Sequence, residues 1–301
     1  AGIEAGQVLA IGLHGQTIRH RPGLRHPFSL QIGSAAVLAE RTGRTVVSGF
    51  RERDIAAGGQ GAPLVPFAHR RFLADSGADV AVVNIGGMAN ITFLGADGTT
   101  LGFDTGPGNA LMDALMVALT DGRAGMDENG ELAAAGSACD ELLDRLMAHP
   151  FFRRRPPKST GREDFGYEQL DLLLGWPGLS DADRMATALE LTARTIADAG
   201  RFLPRAPARW LICGGGSRNR TLMQRLATLL APAPVAPTDR YGLPAAAIEA
   251  ASFAVLAWEA LRGRPNTLAS VTGAARDVVG GMISPGANWP EIVRLIGSWT
   301  R

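Results

Sequence analysis

Lysine is nearly missing from this chain. Of 30 basic side chains in 301 residues only Lys158 is lysine, and the remaining 29 are arginine. The imbalance reads as the nucleotide composition of the coding sequence and carries no functional weight. Cysteine is almost as scarce. Cys139 and Cys213 are too few for a disulfide framework and stand in no C-x-x-C spacing, which excludes a disulfide scaffold and fits a reducing cytoplasm. Charge of one sign is also absent. The 30 basic groups nearly cancel 29 acidic ones, so the footprint of a nucleic-acid binder or of a polybasic membrane anchor is excluded. No uncharged apolar run reaches the roughly 18 residues of a membrane span, and no basic stretch precedes an apolar h-region. Neither a span nor a secretory signal is expected.

What is present is an apolar content of 46%, ample for a sizeable core. Short apolar strands alternate with glycine-rich turns and helical stretches. Strands are expected over 8–13, 45–48, 80–85, 91–94, 101–103 and 210–213. Helices are expected over 35–42, 66–73, 110–119, 131–148, 181–203, 219–230 and 245–261. VVNIGGMANITFLG followed by LGFDTGPGN reads as an antiparallel meander, which suits a ribonuclease-H-like unit better than a Rossmann half. The Gly/Pro cluster GGQGAPLVP at Gly58 marks a boundary, and RRRPPKSTGREDFG makes a polar loop within 151–166. QVLAIGL reads as a buried strand within a dozen residues of a start that is not Met, as if the chain opens partway through a fold.

Several segments carry chemistry-bearing residues. FDTGPGN sets Asp104 at the end of an apolar strand, before Gly106, Gly108 and Asn109 and a helix whose first N–H groups favour anions. The same residues also fit a plain strand-to-helix turn capped by Asp104. NIGGMAN places Gly86, Gly87 and Asn90 in a turn able to hold terminal phosphates, or in an ordinary hairpin. In CGGGSRN, Gly214, Gly215 and Gly216 permit close approach of a flat ligand such as adenine, ahead of a helix that begins near Asn219. The spacing is not G-x-G-x-x-G, and NAD is disfavoured. His14, Gln16, Thr17, Arg19 and His20 crowd one stretch after a strand, a density suited to a polyhydroxylated or acidic ligand; metal binding is disfavoured because no carboxylate accompanies the histidines. Arg53 and Asp54, in FRERD, add fixed charges, which a solvated turn would explain equally. The apolar helix at 245–261 contains Glu249, and burying a carboxylate costs several kcal/mol unless it is paired. Glu249 therefore lies at an edge or faces a cleft, and the cleft is the reading preferred here.

Taken in order, HGQT, FRERDIAAGGQGAPLVP, NIGGMANIT, FDTGPGN, PPKSTGREDFG, CGGGSRN and the Glu249 helix closely resemble the anhydro-N-acetylmuramic acid kinase family. That family lies within the sugar-kinase, heat-shock-cognate and actin superfamily. The resemblance spans essentially the whole chain. It implies an α/β, two-domain ribonuclease-H-like (actin/sugar-kinase) fold with mixed sheets flanked by helices. The corresponding division is a sugar-binding domain over 1–66, a nucleotide-binding domain over 67–270, and a segment 271–301 returning to the first domain.

The activity implied is ATP- and Mg²⁺-dependent conversion of 1,6-anhydro-N-acetylmuramic acid to N-acetylmuramic acid 6-phosphate in the cytoplasm. Water cleaves the anhydro bond while the freed O6 takes the γ-phosphoryl group. Asp104 matches the family's catalytic base and Glu249 a second acid near the water. Gly86, Gly87, Asn90, Gly106, Gly108, Asn109, Gly214–Gly216 and Asn219 fall to the nucleotide; His14, Gln16, Thr17, Arg19, Arg53 and Asp54 fall to the amino sugar. No metal ligand is assigned. The family suggests a homodimer, which the apolar helices permit without requiring.

The family begins with a Gly/Ser/Thr-rich phosphate loop that nothing in residues 1–7 matches. The first domain is therefore expected to be incomplete, whether the sequence is a fragment or a natural truncation, and turnover by this chain is expected to fail. A non-catalytic sugar-binding remnant and a hexose kinase of the same superfamily stand as alternatives.

Overall fold

The computed structural model describes residues 2–161 and 164–299. Arg162 and Glu163 of the polar loop lie outside the described residues, as do residues 1, 300 and 301. Strands follow one another as β1 (Ala10–Gly12), β2 (Gln16–Arg21), β3 (Phe28–Ile32), β4 (Thr45–Ser48), β5 (Val80–Ile85), β6 (Met88–Leu94), β7 (Thr100–Pro107), β8 (Arg209–Cys213), β9 (Val235–Pro237) and β10 (Met282–Ser284). The chain folds into two compact units. One runs to Phe72 and resumes at Glu249; the other is Leu73–Ile248.

The division thus falls after Phe72, where residue 66 was expected, and before Glu249, where 270 was expected. GGQGAPLVP lies inside the first unit because Asp54 holds it: the Gly61 N–H donates to Asp54 Oδ2 at 2.7 Å, and the Gln60 N–H to Thr272 O at 2.9 Å. Helix Ile248–Leu261 contributes Phe253, Leu256, Ala257 and Leu261 to a core with Val47, Phe50 and Phe67, which draws it to the first unit. Gly12 of β1 lies so close to this helix that a Cβ would strike the Phe253 carbonyl. In the same unit β1 and β4 run parallel, β10 pairs antiparallel with β4, and β2–β3 form a separate hairpin.

The second unit is built on a five-stranded sheet of order β7-β6-β5-β8-β9. VAVVNI fills the middle strand because almost every residue of it is buried, the pattern of a strand covered on both faces. The Gly86–Gly87 turn returns the chain antiparallel along β6 and then β7, whereas β8 and β9 run parallel to β5. This is the ribonuclease-H-like arrangement that the meander predicts. Helix Asp181–Ala199 packs against the sheet and starts with a capping box between Ser180 and Asp183. Its Met185, Leu189 and Ile196 join Ile91, Phe103, Phe151 and Leu173 in one core.

The helix expected over 131–148 is two, Glu131–Ala134 and Asp140–Met147. Tertiary bonds break it: the Ser137 N–H donates to Asp183 Oδ1 at 2.8 Å and the Cys139 N–H to Thr187 Oγ1 at 3.0 Å. No helix of the described residues is long and apolar enough to cross a membrane.

Candidate active site

Two turns of the second unit follow the carboxyl ends of adjacent parallel strands: Gly86–Gly87 after β5 and Gly214–Gly216 after β8. That edge is where open α/β sheets bind ligands. A polar row crosses the sheet there. Asn84, Asn90 and Asp104 stand directly opposite one another on β5, β6 and β7, and Cys213 stands opposite Asn84 on β8. Opposed residues share a face, so the row is continuous. Between Ala89 and Asn90 the β6–β7 register slips; Thr105 is the extra residue, and such bulges re-aim side chains beside active sites.

Asp104 is 7% exposed and held from behind. Its N–H donates to Lys158 O at 3.1 Å, and its Oδ2 accepts the Thr160 N–H at 2.9 Å. The Thr160 N–H thereby fixes the orientation of a carboxylate able to act in proton transfer.

Around it the glycines divide their work. The N–H groups of Gly108, Asn109 and Ala110 donate to the carbonyls of Gly87, Gly86 and Gly87 at 2.9, 2.8 and 3.0 Å. The reading that the start of helix Ala110–Leu119 offers N–H groups to an anion is therefore corrected for these three: their donors are spent on the neighbouring turn. Gly106, with φ +147°, packs against Phe152. Gly214 adopts φ +79°, and a Cβ there would stand 2.6 Å from Asn84 Oδ1, while a Cβ on Gly216 would enter Ile85. Gly215 is exposed, and its nearest neighbour would be Asn109 Nδ2 at 3.5 Å, an ordinary contact. Asn109 Nδ2 donates to Ile85 O at 3.2 Å. Asn219, expected to face the nucleotide, caps its own helix by accepting the Leu222 N–H at 2.9 Å.

In the first unit His14 and Arg51 come together, with Arg51 Nη2 2.7 Å from His14 Nε2 and Nη1 donating to Gly61 O at 2.7 Å. Burial, and then the Arg51 charge, lower the His14 pKa to about 4; His20 falls to about 4 for the same reasons. Both imidazoles are neutral at pH 7, and His14 Nε2 accepts the guanidinium proton. Gln16 and Arg19 are exposed on β2, and Thr17 Oγ1 accepts from Gln31 Nε2 at 3.1 Å. Arg53 is exposed. Asp54 is fully buried, accepting from Gly61 N–H and from Thr272 Oγ1 at 2.7 Å each, so its carboxylate anchors a loop and presents no surface to a sugar. Burial raises its pKa against the opposing pull of those bonds. Glu249 is exposed in the first turn of its helix, where the dipole favours an acid. The buried acid of that helix is Glu259, passed over in the sequence, which pairs with Arg71 at 3.3 Å.

Sequence reasoning also missed Lys158, Thr160 and Asn84. Asn84 had a visible signal, as the one polar residue in VAVVNI. Lys158 is 5% exposed, and burial lowers its pKa to about 8, with Arg201 and Arg154 pushing the same way and Asp104 opposing. As the chain's one lysine it gives a single side-chain signal on ε-¹³C-lysine labelling. That signal is expected to titrate near pH 8; a midpoint above 10 would contradict the burial. The unfolded chain keeps this proton to about pH 10.4, so between the two values it binds more protons than the folded chain, and stability rises with pH there.

The sequence model of one family, described as anhydro-N-acetylmuramic acid kinase, matches residues 1–286. The chain is 48% identical over 285 residues to the anhydro-N-acetylmuramic acid kinase of Xanthomonas axonopodis pv. citri, covering 95% of this chain and 76% of that one. It is 47% identical over 293 residues to the protein of the same name from Gloeobacter violaceus, again covering 95% and 76%. Among solved structures, xylulose kinase from Rhodospirillum rubrum aligns over 82% of this chain and 52% of its own, with 16% identity and a TM-score of 0.42.

Proposed function

The chain belongs to the anhydro-N-acetylmuramic acid kinase family, and from that membership we propose that Asp104 is the general base of its reaction and that the glycine turns of the second unit hold its nucleotide. It is a kinase that converts 1,6-anhydro-N-acetylmuramic acid and water to N-acetylmuramic acid 6-phosphate in peptidoglycan recycling, with ATP as phosphoryl donor. A hexose kinase or a non-catalytic remnant, and with the remnant the expectation that turnover fails, is not favoured by a family match over residues 1–286.

The observation that carries the assignment is the hold on Asp104: one oxygen fixed by the Thr160 N–H, at the end of a polar row beside the glycine turns. Asp104 takes a proton from water as the water oxygen bonds to the anomeric carbon. The bond from that carbon to O6 breaks, and O6 takes the γ-phosphoryl group as ADP leaves. Positioning and charge carry such a transfer. In the first unit, the neutral His14 and exposed Arg19 and Arg53 are the groups we assign to the sugar. Cytoplasmic location and a homodimer belong to the same reading.

Mg²⁺ is the divalent ion of this proposal. It is bound chiefly by water and phosphate oxygens and needs few protein donors. The donor set fits: the amide oxygens of Asn84 and Asn90 lie in the Asp104 row, and among the described residues Asn90 Oδ1 is buried without a hydrogen-bond partner. These two would hold the ion through its water shell, and when bound it supplies charge neutralisation at the transferring phosphoryl group.

Gly215 tests the nucleotide side. Its Cβ meets nothing closer than 3.5 Å, so Gly215→Val should fold normally while obstructing a flat ligand. We expect the nucleotide Kd to rise about tenfold or more, equivalent to about 1.4 kcal/mol, with the sugar Kd and Tm little changed. Equal rises in both constants would remove the adenosine role from this turn.

A further inference from the structure

The one lysine of the chain is enclosed by aromatic rings directly behind the base. Lys158 Nζ lies 4.6 Å from the ring centre of Phe151, 4.8 Å from Phe202 and 5.7 Å from Phe103, and donates to Phe151 O at 3.4 Å. A cation over ring faces is attracted by their quadrupoles, and desolvation strengthens that attraction. Those rings sit on the turn Pro150–Arg153, on strand β7 and on the turn Gly200–Phe202. The ammonium thereby ties three separate elements to residue 158. Two residues on, the same backbone delivers the Thr160 N–H to Asp104 Oδ2, and the Lys158 carbonyl accepts the Asp104 N–H. Asp104 is gripped at its backbone and at its carboxylate by one short segment, and the segment is anchored by one buried cation.

A stable fold does not require this arrangement. A buried ammonium is costly, and an apolar side chain of the same length would fill the box with less penalty. Its placement one step behind the reacting carboxylate points to a use in the reaction. We propose that Lys158 is a positioning residue of the kinase, holding the Lys158–Thr160 segment so that the Thr160 N–H fixes the orientation of the Asp104 carboxylate. The proposal rests on the reading of Asp104 as general base. It adds that the reactive geometry depends on a side chain that touches neither substrate. Among the described residues Arg201, Arg154 and Asp104 act on the charge of the ammonium, and Asp198 lines the same small cavity as Lys158.

The test is a set of variants of the whole chain: Lys158→Met, which keeps length and removes charge, and Thr160→Pro, which removes the N–H. Each is made alone and in an Asp104→Asn background. Misplacement of a catalytic group by about 1 Å costs on the order of 10²-fold. Each single variant is therefore expected to lower kcat about 10- to 100-fold, with KM for ATP and for the sugar within about twofold. In the Asp104→Asn background neither should lower kcat further, because residues acting as one unit are not additive. A kcat for Lys158→Met within twofold of the parent overturns the proposal. So does an equal fold loss in both backgrounds, which is the mark of a purely structural residue. If Lys158→Met does not fold, Thr160→Pro decides alone, and unchanged turnover there overturns the proposal. Near-normal turnover of Asp104→Asn by itself overturns the base assignment, and the inference falls with it.

Discussion

Asp104→Asn is expected to lower kcat by roughly 10²–10⁴-fold, the scale on which removal of a general base is felt. Asparagine keeps the shape of the side chain and can still accept the Thr160 N–H through its amide oxygen, so the local fold should persist. What is lost is the acceptor for the water proton. KM for ATP and for the anhydro sugar should change little, because neither ground-state complex depends on that proton's destination. Steady-state kinetics with purified enzyme measures the effect. Retention of near-normal kcat would remove Asp104 from the chemistry.

Gly108→Ala is expected to destabilise the second unit by about 3 kcal/mol, the upper range for overpacking. A Cβ at this position would run into Gly86 O and crowd Met88 and Ala89. The same movement would break the donation from Gly108 N–H to Gly87 O that seats one turn on the other. Urea denaturation measures it as a fall in midpoint with unchanged m. Gly215→Ala, whose Cβ would make only an ordinary contact with Asn109 Nδ2, serves as the control and should be close to neutral. Equal stability of the two variants would show that the glycine turns are not packed as described.

Much of the second unit is legible in the sequence because its signals are local. An apolar run interrupted only by Asn84, a Gly-Gly turn and a returning strand specify β5 to β7 without reference to anything distant, and a carboxylate after the apolar part of the third strand marks Asp104. Glycine-rich turns also announce themselves. Their division of labour does not, since only the structure shows that Gly214 and Gly216 lie against Ile85 while Gly215 faces outward. Other elements were hidden by their composition. β9 follows Pro234 and ends on Pro237, prolines that argue against a strand, and it forms at the sheet edge where proline is tolerated.

The residues misplaced by sequence reasoning share one cause: their partners are remote along the chain. Asp54 looks like an exposed charge in FRERD until Thr272 closes over it. Glu249 looks like the buried acid of its helix, yet Glu259 takes that place through Arg71. Lys158 reads as one cation in a basic loop because the rings of Phe103 and Phe202 that receive it come from far upstream and downstream.

The central claim is that this chain is a kinase that opens the anhydro bond of 1,6-anhydro-N-acetylmuramic acid as it phosphorylates O6. The most direct measurement supplies the purified enzyme with ATP, Mg²⁺ and this sugar and follows all products by mass spectrometry against a parallel panel of hexoses. The result expected is N-acetylmuramic acid 6-phosphate and ADP in equal amounts, with the hexoses unchanged. ADP accompanied by inorganic phosphate and intact anhydro sugar, or phosphorylation of a hexose in its place, would contradict the account.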